Sequence, residues 1–151
     1  MSDKKEARRE SRTIAVETLF SYLAREGRVK PEECFQHVLS ELRQRDKDSF
    51  AEDLVRIAVE NLGKIKLVIR VFAPEFPFKK IAPINRVILI LGLTEMKFLK
   101  TPPIVVINEY IELAKVFGEQ KSAGFINAVL DSFRKQIGLD SNTKSDEDSE
   151  E

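Results

Sequence analysis

Residues 102–133, Pro-Pro-Ile-Val-Val-Ile-Asn-Glu-Tyr-Ile-Glu-Leu-Ala-Lys-Val-Phe-Gly-Glu-Gln-Lys-Ser-Ala-Gly-Phe-Ile-Asn-Ala-Val-Leu-Asp-Ser-Phe, spell out a helix, a stop and a second helix. Pro103 suits the first turn of a helix, where its missing N–H costs nothing. Val106, Tyr110, Leu113 and Phe117 fall on one apolar stripe, which Ile107, Ile111 and Ala114 widen. Asn108, Glu112 and Lys115 fall on the opposite, wet face. Gly118 stands where a left-handed C-cap residue is wanted. Ser122 is placed to N-cap the next helix, whose stripe is Phe125 or Ile126, Val129, Leu130 and Phe133. Ala123, Gly124 and Ala128 are small and let that helix approach a neighbour closely. Two short helices with apolar faces this wide must pack on something larger.

The rest of the chain supplies it. Residues 84–100 carry Val87-Ile88-Leu89-Ile90-Leu91-Gly92-Leu93 and continue through Met96, Phe98 and Leu99, with no second strand-like run to pair with. They predict a central, nearly all-apolar helix, flanked too closely by Arg86, Glu95 and Lys97 to span a membrane. Phe50, Leu54, Ile57, Ala58, Leu62, Ile65, Val68, Ile69 and Phe72 keep the three-and-four spacing of one long helix over 49–72. Two prolines break residues 73–82, from which Phe76 and Phe78 are expected to plug into the bundle. A short amphipathic helix over 31–45 follows Pro31, and a first helix ends at Gly27. The fold class is all-α: about six to seven helices in two small antiparallel bundles, residues 4–72 and 79–137.

At 151 residues the chain reads as one domain, 1–139, able to bury a sizeable core. It has no apolar run of about 18 residues and no signal-peptide pattern. A single cysteine excludes an internal disulfide and fits a reducing cytosol, so a cytoplasmic location is expected. The zero net charge hides an asymmetry. Residues 140–151 hold six acids against Lys144, leaving residues 1–139 at +5. That acidic, Ser-rich end lacks the apolar area to fold and reads as a disordered, solubilising tail.

Catalytic and metal chemistry find no pattern: no glycine-rich phosphate loop, no paired Cys or His ligands, no Ser–His–Asp set. No cofactor and no metal are expected. Cys34 and His37 lie three apart without further ligands and read as core-edge packing. Glu109 and Glu112 read as helix-face salt bridging, and Asn108 and Asn127 as amides that hydrogen-bond helix ends.

The first helix has two characters. Ala15, Val16, Leu19, Phe20 and Leu23 form an apolar stripe, while Lys4, Lys5, Arg8, Arg9 and Arg12 lie upstream. Arg8, Arg12 and Val16 are spaced by four, so the arginines prolong the core-facing side past the edge of the bundle. There they are either a solvated helix start, diluted by Glu6 and Glu10, or a site for phosphate. Phe125 is ambiguous too: its periodicity suits the core.

Ile107-Asn108-Glu109-x-x-Glu112-Leu113-Ala114-Lys115-x-Phe117-Gly118, with Ser122-x-x-Phe125-Ile126-Asn127-x-Val129-Leu130-Asp131, resembles the C-terminal signature of the NusB family of bacterial transcription antitermination factors. The resemblance extends over roughly residues 7–137. Arg8, Arg9 and Arg12 match the family's basic N-terminal positions, and Ala15, Leu19 and Phe20 its Ala, Leu and aromatic. It implies a non-enzymatic protein that pairs with the ribosomal protein NusE. Together the two would bind a boxA-type single-stranded RNA in nascent ribosomal transcripts, within the transcription elongation complex. By the same resemblance Arg8, Arg9, Arg12, Lys121 and Phe125 would contact RNA, and Phe20, Asn85 and Arg86 the protein partner. The chain departs from the family at Glu10, Glu17, Asn85 and Ile90, and these departures predict weaker RNA or partner binding. Two other readings are a protein adaptor of this fold that has lost RNA binding, and the N-terminal domain of a ribosomal RNA cytosine methyltransferase. The latter is disfavoured by the lack of a glycine-rich cofactor loop.

Overall fold

The structure, a computed structural model, describes residues 2–43, 47–119 and 121–149. Among these residues there are seven α-helices and no strand: α1 (Ser2–Ala24), α2 (Pro31–Val38), α3 (Ser49–Glu60), α4 (Leu62–Phe72), α5 (Pro83–Lys97), α6 (Pro103–Phe117) and α7 (Ser122–Ser149). A π-helical turn, Leu39–Arg43, follows α2, and a 3₁₀ turn, Phe78–Lys80, lies between α4 and α5.

Local chemistry sets the boundaries. Pro31, Pro83 and Pro103 each open a helix, where a missing N–H is harmless. After α1 the chain turns through Glu26 and Gly27 at φ +54° and +76°, a left-handed pair in which glycine carries little strain. Asp48 caps α3 by accepting a 3.0 Å hydrogen bond from the Ala51 N–H, and its other oxygen accepts one of 2.8 Å from the Ser11 hydroxyl of α1.

The central helix is as the apolar run foretold. Every α5 residue from Val87 to Met96 is buried, and α5 packs against α1, α3, α4, α6 and α7. One continuous core results, from Ile14 on α1 to Phe133 on α7. At Gly92 the helices approach closely: a Cβ there would stand 3.2 Å from the Leu130 side chain and 3.5 Å from the Tyr110 ring.

Several local expectations need correction. The helix over 49–72 is two helices, broken at Asn61. The Asn61 backbone leaves the helical region (φ −114°, ψ 19°) while its N–H and its side-chain amide both donate to the Ile57 carbonyl, at 3.1 and 2.8 Å, and Gly63 just beyond weakens continuation. Gly118 is extended (φ −120°, ψ −166°), not left-handed, and Ser122 is the first residue of α7 rather than its cap. Phe76 is half exposed instead of plugging the core, and it stacks edge-on with Phe125 at 5.1 Å. Asn108 and Asn127 are both exposed; the amide that joins helix starts is Asn85, which donates to the Ser122 hydroxyl at 3.0 Å. Cys34 is buried and free, in keeping with a packing role, whereas His37, expected at the core edge, is exposed and lies 3.5 Å from the Glu41 carboxylate one turn on. Helical backbone runs through the acidic end as far as Ser149, and residues 150–151 lie outside the described residues. No helix among the described residues is long and apolar enough to cross a membrane.

Candidate nucleic-acid and partner interface

The arginines of α1 meet three different fates. Arg12 is 4% exposed and does not reach solvent. Its Nε and Nη2 donate to the two carboxylate oxygens of Glu95, at 2.7 and 2.8 Å, in a bidentate pair. The Tyr110 hydroxyl donates to the same carboxylate at 2.5 Å, and the Thr101 hydroxyl at 3.0 Å. Burial opposes the charge on Arg12, yet the hydrogen bonds and attraction of Glu95 outweigh it and hold its pKa above the ordinary value. Burial first, and the Glu95 carboxylate second, push the Tyr110 hydroxyl well above the usual tyrosine range. This cluster joins α1, α5 and α6. The expectation that Arg12 is an RNA contact is therefore corrected. The helix does not overrun the bundle at Arg12, because α5 offers a buried carboxylate that takes up its guanidinium.

Arg9 faces α6. Its Nε bridges both oxygens of Glu109, at 3.2 and 3.0 Å, while half of its side chain stays exposed and Glu109 is nearly buried. Glu109 is thus an inter-helix anchor, whereas Glu112 pairs along its own helix with Lys115 at 3.2 Å as expected. Arg8 stacks its guanidinium 3.8 Å over the Phe50 ring of α3. Around this stack lies an open groove of about 720 Å³, lined by Lys4, Arg8, Lys47 and Phe50 together with Ser11, Asp48 and Ser49. Three cations beside an aromatic ring are what a phosphate-linked strand of bases requires.

The remaining predicted residues sit at the other end of α5. Phe20, 42% exposed, and Arg86 line one groove of about 260 Å³ with Leu23, Pro83 and Val87. Arg86 is held in place by donating to the Ile81 and Lys79 carbonyls and lies 5.2 Å over the Phe78 ring. Asn85 does not join that groove. It lines a second one, about 240 Å³, with Lys80, Phe76, Ser122, Lys121 and Phe125. Lys121 is exposed, and Phe125 is half-buried against Phe76, neither core nor free. The structure thus brings Phe20 to Arg86 and Lys121 to Phe125, but it does not bring Lys121 and Phe125 to Arg8. Glu95, which marks the α1 arginine end, and Asn85 are ten residues apart on α5, roughly 15 Å along its axis.

Sequence reasoning missed Glu95, Tyr110, Phe50, Lys47 and Lys80 in these clusters. Glu95 was detectable: a lone acid inside an all-round apolar helix demands a buried partner. Phe50 and Lys47 follow a charged stretch, partly outside the described residues, and only the fold brings them to Arg8.

The NusB family model matches residues 9–135. Over 131 residues the chain is 37% identical to transcription antitermination protein NusB of Bacillus licheniformis, covering 86% of this chain and 98% of that one. The protein of the same name from Koribacter versatilis is 33% identical over 147 residues, 96% of this chain and all of its own length. Among solved structures, T. maritima NusB superposes with a TM-score of 0.77 at 29% identity, covering 85% of this chain and 90% of that one. A chain of the complex of antitermination factors NusB and NusE with dsRNA does so with a TM-score of 0.78 at 28% identity, covering 87% and 98%. By sequence and by fold, this chain belongs to the NusB family.

Proposed function

We propose that this chain is a non-enzymatic antitermination factor that pairs with the ribosomal protein NusE and binds boxA-type single-stranded RNA in nascent ribosomal transcripts. It acts within the transcription elongation complex. The observation that carries this reading is the likeness, over nearly the whole folded part, to a chain of the NusB–NusE complex with double-stranded RNA, which supports NusE and RNA as partners. The geometry supplies the means. Arg8, with Lys4 and Lys47, presents positive charge around Phe50, and the exposed half of Arg9 extends it. Lys121 and Phe125 offer a cation and a ring edge farther along. Phosphate contacts would give affinity, and stacking on aromatic faces would hold unpaired bases. Phe20, with its groove wall Arg86, is an apolar anchor for the protein partner, and Asn85 lies on the neighbouring groove.

A second reading, an adaptor that keeps NusE and has lost RNA, is favoured by one observation: Arg12 is consumed by Glu95, and Arg9 is shared with Glu109. Fluorescence anisotropy of labelled boxA RNA, with and without purified NusE, separates the two. The first reading expects NusE to tighten RNA binding at least about tenfold, or 1.4 kcal/mol. Complex formation with NusE but no RNA binding would establish the adaptor. Failure to bind NusE would overturn both.

A further inference from the structure

Helix α4 supplies no residue to these grooves. It turns Ile65 and Ile69 inward and sets Phe72 edge-on to Phe133 at 5.8 Å. On its opposite side Leu67 is 57% and Val71 68% exposed, one helical turn apart. At 100° per residue Lys64 flanks this pair on one side and Arg70, then Lys66, on the other. Gly63, one turn before Leu67, has open space where a Cβ would be, so the apolar strip begins flat. The 3₁₀ turn Phe78–Lys80 packs against α4 and adds Lys79 and Lys80, with the Lys66 ammonium 5.0 Å over the Phe78 ring. From Asn61 to Lys80 the chain carries five cations and one acid, Glu75. Among the described residues none of those five cations forms a salt bridge.

We propose that this face is a docking surface for an acidic amphipathic helix of another protein. Leu67 and Val71 are the apolar centre, and Lys64, Lys66, Arg70 and the lysines of the 3₁₀ turn form the cationic rim. The charge selects carboxylates, and the apolar centre selects among polyanions. A nucleic acid needs only the cations and gains little from a leucine and a valine standing in water. The chain's own acidic end fits the rim but not the centre, because residues 140–151 contain no large apolar side chain. A partner helix with leucine-like residues one turn apart and acids beside them satisfies both demands.

The test is an amide chemical-shift titration of the full-length, isotope-labelled chain. Its probes are a synthetic helix-forming peptide with leucines at one-turn spacing flanked by glutamates, the same peptide with every leucine changed to serine, and single-stranded RNA. The leucine peptide is expected to shift residues 63–71 and 78–80. Leu67→Ser and Arg70→Glu, both exposed and so compatible with an unchanged fold spectrum, are each expected to weaken it about tenfold or more. The serine peptide is expected to bind at least about tenfold more weakly than the leucine peptide. Equal binding of the two peptides would reduce the face to unspecific charge and overturn the proposal. So would shifts of the same residues by RNA with none by the leucine peptide, which would make α4 a nucleic-acid surface. Leucine-peptide shifts confined to other helices would overturn it as well. None of these outcomes depends on NusE or boxA binding.

Discussion

Replacing Glu95 by alanine removes the acceptor of four hydrogen bonds, two from Arg12 and one each from Tyr110 and Thr101. The guanidinium left behind is 4% exposed and has no water to turn to. Stranding one member of a buried ion pair costs about 3–5 kcal/mol, and the orphaned Tyr110 hydroxyl adds about 1 more. A domain whose whole stability is about 5–15 kcal/mol is then close to unfolding. Urea unfolding followed by helical circular dichroism measures the loss as a shift in midpoint at unchanged slope. The companion variant joins Arg12→Met to Glu95→Leu. It removes both charges while keeping most of the volume, and should recover the greater part of the loss, since apolar replacement of a buried pair is often neutral. A cost below about 1 kcal/mol for Glu95→Ala would refute the reasoning. A double variant no more stable than the single one would do the same.

Other consequences follow from the same contacts. Because the folded chain holds the Tyr110 hydroxyl well above its usual range, stability is complete below about pH 10, where the unfolded tyrosine still keeps its proton. As pH rises from there toward the folded value, stability should fall by about 1.4 kcal/mol per pH unit, a slope that Tyr110→Phe lacks; urea midpoints on either side of pH 10 would show it. Asp48→Ala should cost about 1–2 kcal/mol in thermal unfolding, because it removes both the α3 cap and the acceptor for Ser11. Phe20→Ser should cost no more than about 1–2 kcal/mol of stability, since the residue is 42% exposed, yet weaken NusE binding in titration calorimetry by about tenfold or more.

The fold was largely legible, and for one reason. Helical periodicity is a property of local sequence, so α5, with every residue from Val87 to Met96 buried, and the paired stripes of α6 and α7 announced themselves. What periodicity does not encode is which polar residue an apolar neighbour will accept. Arg12 shares a face with Val16, and spacing alone cannot tell an arginine beyond the core from one inside it; the carboxylate 83 positions away decides. The break at Asn61 lies in that residue's backbone conformation (φ −114°, ψ 19°), which the unbroken apolar spacing on either side does not reveal. Phe125 was ambiguous for a sound reason, because it stands half-buried against Phe76, which is itself half exposed. The grooves themselves were beyond the sequence. Each combines residues from separate helices, such as Arg8 with Phe50 and Phe20 with Arg86.

The salt dependence of boxA RNA binding by the chain in complex with NusE tests the central claim most directly. Removing one cation that pairs with a phosphate of a single strand lowers the slope of log affinity against log salt by about 0.7. Arg8→Ala should lower it by about that amount, whereas the paired change Arg12→Met with Glu95→Leu should leave it unchanged, because Arg12 spends its charge inside the protein. A slope that ignores Arg8 and falls with the Arg12 pair, or a NusE complex with no affinity for the RNA, would contradict the account.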